Sequence, residues 1–161
     1  MNAAAALPEG QEARDEHFMR MAIDEARLTD YPFGAIITCD DVVLARGHNS
    51  GSKLRDPTAH GEMVTIHAFL AEHGPERLRG ATLYTSGEPC PMCMGAILWC
   101  GIGRMVYAAS IPQLATRLNQ IMIRSADMAA QSFAPIAITG GVLDAEAMAL
   151  FDGKDFSHGH R

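Results

Sequence analysis

Basic charge is sparse in this sequence of 161 residues. Of its 13 basic residues only Lys53 and Lys154 are lysines, and the arginines are scattered, against 19 acidic residues and a net charge of −6. A protein that grips nucleic acid by its backbone usually carries a basic stripe or cluster, so this absence counts against a nucleic-acid partner. No apolar run is long enough to span a bilayer as a helix, and no membrane partner is expected. The N-terminus shows no basic region followed by an apolar stretch, so it does not read as a signal peptide. The expectation is a soluble, cytoplasmic protein. Repeats are missing as well, and the "AAAA" of Ala3–Ala6 is the only low-complexity tract. With 48% hydrophobic residues the chain suits one domain over residues 1–161, because either half alone would have a marginal core. Cysteine is scarce too: Cys39, Cys90, Cys93 and Cys100. In a small secreted protein four cysteines would suggest two disulfides. In a cytosolic chain with a core this large, a C-x-x-C pair points to metal or redox chemistry.

Hydrophobic spacing outlines the elements. Residues 12–28 place Phe18, Met21, Ala22, Glu25 and Leu28 at helical spacing. "YPFGAIIT", a "CDD" turn and "VVLARGHN" read as a hairpin. Pro57 and Thr58 precede a helix over residues 61–72, which stops at "EHGPE". "GATLYTS" is a third strand, and "PMCMGAILWC" a helix ending at Gly101, where a C′ glycine is expected. "RMVYAAS" and "PIAITGG" supply two further strands, "LDAEAMALF" a last helix, and part of residues 112–124 is expected to be helical. Strands followed by helices imply an α/β fold, a three-layer α/β/α sandwich on a mixed sheet of about five strands. Cys39 and Cys100 end apolar runs and read as buried, inert thiols.

Chemistry concentrates in two short stretches, "PTAHGEMVTIHAF" and "SGEPCPMCMGA". Cys90 and Cys93 lie three apart, so in the first turn of a helix their sulfurs point the same way. A helix N-terminus favours thiolate, and paired thiolates are good zinc ligands. C-x-x-C alone also fits redox pairs and structural zinc knuckles. His60 is the third candidate ligand if it caps its helix and turns over the tip. His67, two turns along, lies about 10 Å away and is out of reach of the same ion. Three protein ligands leave one tetrahedral position open, as in catalytic zinc sites, where water becomes a nucleophile near neutral pH. Glu62 is then the natural carrier of protons from that water to a substrate nitrogen and on to a leaving amine. His158 and His160 read as a solvated tail.

The pairing of His60-Gly61-Glu62 with Pro89-Cys90-Pro91-Met92-Cys93 resembles the H-x-E…P-C-x-x-C signature of the zinc-dependent cytidine deaminase superfamily. The resemblance runs from about residue 14 to 110 and includes "PFGAII", "GHN", "DPTAHGE", "TLYTSGEPCPMCMGAI" and "GRMVYAA" in order. It implies one zinc ion per chain on His60, Cys90 and Cys93, with Glu62 as acid and base. It further implies that Asn49 binds substrate and that the protein is a homodimer. Gly61 stands where many relatives have Ala, and its N–H is a candidate contact to a base carbonyl. Glu88 reads as a carboxylate at a helix start.

The blocks are most similar to enzymes of free bases, guanine deaminase and the fungal type of cytosine deaminase, and to tRNA adenosine deaminase. A tRNA-acting relative would be expected to carry basic residues on its last helix, whereas this chain reads "VLDAEAMALFDGKDF" there. A small-molecule heterocyclic base needs no positive field. The expectation is therefore deamination of a free base with release of ammonia, guanine first, cytosine or another aminopyrimidine or aminotriazine next, and tRNA adenosine as the remaining alternative. Phe33 is a candidate to stack on the heterocycle. Trp99 reads as core or interface. Phe151, Asp152, Asp155 and Phe156 are candidates for a C-terminal lid over the base.

Overall fold

The structure, a computed structural model, describes residues 6–157; the tail histidines His158 and His160 lie outside them. The first element is helix α1, Gln11–Ala26, which buries Phe18, Met19, Ala22, Ile23 and Ala26. This stripe is turned slightly from the one expected, and the helix stops before Leu28, which is exposed. The chain must extend before Pro32, because a residue preceding proline is pushed out of the helical region.

Strands β1, Gly34–Cys39, and β2, Val42–His48, form the expected antiparallel hairpin. Its turn residues Asp40 and Asp41 both have positive φ, 48° and 60°. That left-handed pair matches the twist of the flanking strands, and Asp tolerates it better than most side chains. Gly34 is required where β1 begins. A Cβ there would collide with the Ala22 carbonyl and the Ala26 amide of α1.

A short helix α2, Gly51–Leu54, leads to α3, Gly61–His73. After a 3-10 turn come β3, Ala81–Gly87, α4, Pro91–Trp99, and β4, Arg104–Ala109. Two short helices follow, α5, Ile111–Leu114, and α6, Ser125–Ala130, then β5, Ala137–Thr139, and α7, Asp144–Ala149. The sheet order is β2-β1-β3-β4-β5, antiparallel up to β3 and parallel from β3 to β5. The parallel pairs need crossovers, and the helices provide them.

Alternation along the strands divides the core. Ile36, Tyr84 and Val106 lie in one row across the sheet and pack with Phe18, Ile23 and Phe151. Ile37, Leu83 and Met105 form the next row and pack on the other face with Ile66, Phe69, Met94 and Ile97. The result is the three-layer α/β/α sandwich on a five-stranded mixed sheet. On the α1 face a buried Asp15 receives both Arg104 nitrogens at 2.7 Å and the Tyr84 hydroxyl at 3.0 Å. No helix among the described residues is long and apolar enough to cross a membrane.

The helix expected within residues 112–124 is confined to α5, and residues 119–124 run without regular structure. Tertiary contact organises this segment instead of periodicity. The Glu88 carboxylate accepts the Ile111 N–H at 2.7 Å, the Ser125 N–H at 3.0 Å and hydroxyl at 2.8 Å, and Arg124 Nε at 3.0 Å. It thereby anchors the starts of α5 and α6. Glu88 is therefore more than a residue at a helix start.

Candidate active site

Two helix tips converge below the sheet's β1–β3 junction. His60 is the extended N-cap of α3, and Cys90 the extended N-cap of α4, with Pro91 at the first helical position and Cys93 in the first turn. Proline suits that position because its fixed φ is helical and it lacks an N–H that would go unbonded there. The His60 Nδ1 lies 3.5 Å from the Cys90 sulfur and 3.6 Å from the Cys93 sulfur. With zinc–sulfur bonds near 2.3 Å and zinc–nitrogen bonds near 2.0–2.1 Å, a tetrahedral N–S edge is about 3.5 Å. The donor atoms thus stand at the spacing a zinc ion requires, and the set of one imidazole and two thiols is chemically suited to it.

The two thiols are coupled, and the coupling favours thiolate on one of them. A hydrogen bond from Cys93 stabilises thiolate on Cys90, working against burial and helped by His60, and brings its pKa to about 4. The same hydrogen bond holds Cys93 well above the ordinary thiol range, with burial and the neighbouring Glu62 adding to the effect. Both positive helix ends favour the negative charge of such a pair.

Glu62 sits in the first turn of α3 and is only 4% exposed. The Thr85 hydroxyl of β3 lies 3.1 Å from its Oε1 and 3.0 Å from the Gly87 carbonyl. A single hydroxyl proton serves one of these acceptors at a time. Asn49, just past β2, is equally buried. Its Oδ1 accepts the Gly51 N–H at 3.1 Å, which orients the amide, and its Nδ2 has no hydrogen-bond partner among the described residues. A buried donor left without an acceptor costs about 1–3 kcal/mol, so such a group is a mark of a ligand site.

The Phe33 carbonyl ties this group together. It accepts the Asn49 N–H at 2.9 Å, and a Cβ on Gly61 would lie 3.1 Å from it. Gly61 is accordingly small because α3 begins against β1; as the first helical residue its N–H has no acceptor within the helix. The Phe33 ring is buried, 5.4 Å centre to centre from Phe151.

Other residues are placed away from this cluster. His67 is exposed on α3. Trp99 is 80% exposed and lies against Phe133, so it is not part of the core. Cys39 is buried and Cys100 half-buried, and burial raises both thiols. Of the lid candidates, Phe151 is buried and Phe156 bridges it to Tyr31. Asp152 instead pairs with Arg117 at 2.8 Å, and Asp155 accepts the Ser157 N–H. Thr85 had no role in the sequence reading, and Glu88 only that of a carboxylate at a helix start. The sequence signal for both was a polar residue inside the apolar strand "TLYTSGEPC".

Comparison with known proteins agrees with this geometry. A tRNA-specific adenosine deaminase of Agrobacterium fabrum is 41% identical over 105 residues, covering 63% of this chain and 69% of its own. A guanine deaminase of Bacillus subtilis is 45% identical over 78 residues, 48% of this chain and 50% of its own. A solved tRNA:A34 deaminase, studied for A-to-I editing at the wobble position of transfer RNA, superposes with a TM-score of 0.74. It is 31% identical and covers 83% of this chain and 98% of that one. The family described as the cytidine and deoxycytidylate deaminase zinc-binding region matches residues 12–109, and with its His–Cys–Cys donor set the chain belongs to that zinc-dependent deaminase family.

Proposed function

We propose that this chain is a zinc-dependent hydrolytic deaminase acting on an adenosine presented by tRNA. The observation that carries the reaction is the Glu62 carboxylate buried beside a His60–Cys90–Cys93 donor set at tetrahedral spacing. The substrate is supported by sequence similarity: the match to the Agrobacterium tRNA-specific adenosine deaminase covers 63% of this chain, that to the Bacillus guanine deaminase 48%. We therefore rank RNA ahead of guanine, reversing the order that charge suggested.

Zinc held by His60, Cys90 and Cys93 supplies Lewis acidity, making water a nucleophile near neutral pH. Glu62 takes a proton from the water and delivers it to the ring nitrogen next to the reacting carbon, then a second to the departing amine. The adenine carbon gains the water oxygen, its exocyclic C–N bond breaks, and ammonia leaves. Asn49 Nδ2 donates to the base, and the Gly61 N–H offers a second donor at the helix tip. Phe33 and Phe151 form an apolar wall, closed by Phe156 of the C-terminal segment.

Guanine is the second reading, favoured by the 45% identity over the site segment. The test is ammonia release by zinc-loaded protein from guanine, cytosine, an aminotriazine, adenosine and an anticodon stem-loop. Inosine in the stem-loop alone is the expected result. Release from guanine with an unreacted stem-loop would replace the RNA reading by the second. Zinc content of Cys93→Ala tests the ligand set: it is expected to fall far below one ion per chain, and full occupancy would remove Cys93 from it.

A further inference from the structure

A polar groove of about 350 Å³ opens beside Asn49, and the only two lysines of the chain both line it. Arg27 and Tyr31 enter from the α1–β1 connection, His48 and Asn49 from the end of β2, Lys53 from α2, and Lys154 from the C-terminal segment. Three separate stretches of chain, residues 27–31, 48–53 and Lys154, meet there. The Lys154 Nζ donates to the Asp30 carbonyl at 3.2 Å, which holds the ammonium at the groove. Arg27 has a surface partner in Asp24 at 3.5 Å, and His48 is paired with Glu25 at 3.0 Å. Asp30 adds one acidic side chain to the lining.

The groove is joined to the catalytic cluster through backbone. Asn49 and Gly61 meet at the Phe33 carbonyl, and the Ser50 N–H donates to the carbonyl of Ala59, the neighbour of His60, at 2.9 Å. Asn49, with its unpartnered buried Nδ2, is therefore common to the groove and to the base site. Because Asn49 lines the groove, a nucleotide whose base meets Asn49 has the groove's cations within the neighbourhood of its own sugar and phosphates. A free base has no anion to offer these cations.

Resting on the RNA reading above, we infer that Arg27, Lys53 and Lys154 form a phosphate subsite for the nucleotides that flank the reacting base. At a net charge of −6 the chain has little long-range attraction for a polyanion. Local contacts must supply the grip, and few of them exist. Three single-strand phosphate contacts correspond to a slope of about −2 in log affinity against log salt, shallow for an RNA-binding protein.

The experiment is fluorescence anisotropy of a labelled anticodon stem-loop with the zinc-loaded full chain, from 50 to 200 mM salt, alongside an inosine assay. In the Arg27→Gln, Lys53→Gln, Lys154→Gln variant the Kd is expected to rise at least about tenfold, and the salt slope to fall by about 2. Lys53→Arg with Lys154→Arg is expected to keep both near the unaltered values. All three side chains are exposed, and zinc content and Tm verify that folding is intact. If the unaltered protein deaminates the stem-loop but the neutral variant matches its Kd and slope, the subsite is overturned and the RNA reading stands. If the unaltered protein neither binds nor deaminates the stem-loop yet releases ammonia from guanine, the RNA reading fails and the subsite with it.

Discussion

Glu62 follows one candidate zinc ligand by two residues, and Glu88 precedes another by two. Both carboxylates are buried, at 4% and 3% exposure, yet their surroundings differ in kind. Glu88 is enclosed by two backbone N–H groups, a hydroxyl and the Arg124 guanidinium. Burial alone would raise its pKa, but the bonds from Ile111, Arg124 and Ser125 together hold it below the ordinary carboxylate range. Glu62 faces the rotatable Thr85 hydroxyl and the sulfur of Cys93, a member of the zinc donor set. A buried acid with a complete set of fixed donors holds its charge and organises chain. The same acid beside a metal donor set is placed to move protons there.

The sharpest way to break this comparison is to neutralise each acid in turn. Glu62→Gln keeps the shape and removes the base. Turnover is expected to fall by about 10²–10⁴-fold, with zinc content unchanged and Tm within roughly 2 °C. A normal rate would take Glu62 out of the mechanism.

Glu88→Ala should show the opposite profile. It strips the acceptor from the buried Ile111 and Ser125 amides and leaves Arg124 without its partner, costing about 3 kcal/mol or more. For a chain of this size that lowers Tm by roughly 6–12 °C, read by thermal unfolding of the zinc-loaded protein. Zinc content at 25 °C is expected to hold. Lost turnover at unchanged Tm would mean that Glu88 shares the chemistry.

Acid titration sharpens the same contrast with a smaller effect. Asp15 resembles Glu88: burial works to raise it, and the bonds from Arg104, Gln11 and Tyr84 bring it below the usual range. A depressed native pKa means that the unfolded chain binds protons first as pH falls. The stability from both acids is then complete above their unfolded values, near pH 4, and is lost as pH drops through the lower native values. Tm should be flat around neutrality and decline below about pH 4. In Glu88→Gln the acid decline should be shallower, with Asp15 left as the larger contributor. An equal decline in both proteins would show that the charge of Glu88 does not stabilise the fold.

These contrasts also explain what was readable in the sequence. His60, Glu62, Cys90 and Cys93 were legible because helix starts carry local signatures and because two short spacings determine which side chains share a tip. The hairpin was legible because "CDD" fits a turn with two left-handed residues. Glu88 was not, since its partners lie 23 to 37 residues away and obey no periodicity. The helix expected within residues 112–124 stopped short for the same reason: Glu88, distant in sequence, fixes Ile111 at one side of this segment and Arg124 and Ser125 at the other. Trp99 looked like core by hydrophobicity, but α4 is apolar nearly all round and cannot reveal its outward face. The phosphate groove was the least legible feature, because its cations come from the α1–β1 connection, α2 and the C-terminal segment.

The smallest expected effect lies where the two candidate substrate donors, Asn49 and the Gly61 N–H, meet at the Phe33 carbonyl. Gly61→Ala gains helix propensity, worth about 1 kcal/mol in a helix interior and less at the first position. Against this, the new Cβ would stand 3.1 Å from the Phe33 carbonyl, which is itself bonded to the Asn49 N–H at 2.9 Å. The contact is relieved by a shift of a few tenths of an ångström in backbone, so stability should change by less than about 1 kcal/mol. Activity should respond more than stability, because that shift moves Asn49 relative to Glu62. A several-fold loss in kcat/KM with Tm within about 2 °C is the expected outcome. Unchanged kcat/KM would mean that the Phe33 carbonyl yields without carrying Asn49 with it. A fall of many degrees in Tm would mean that the tip of α3, like the surroundings of Glu88, is fixed by packing and has no slack to give.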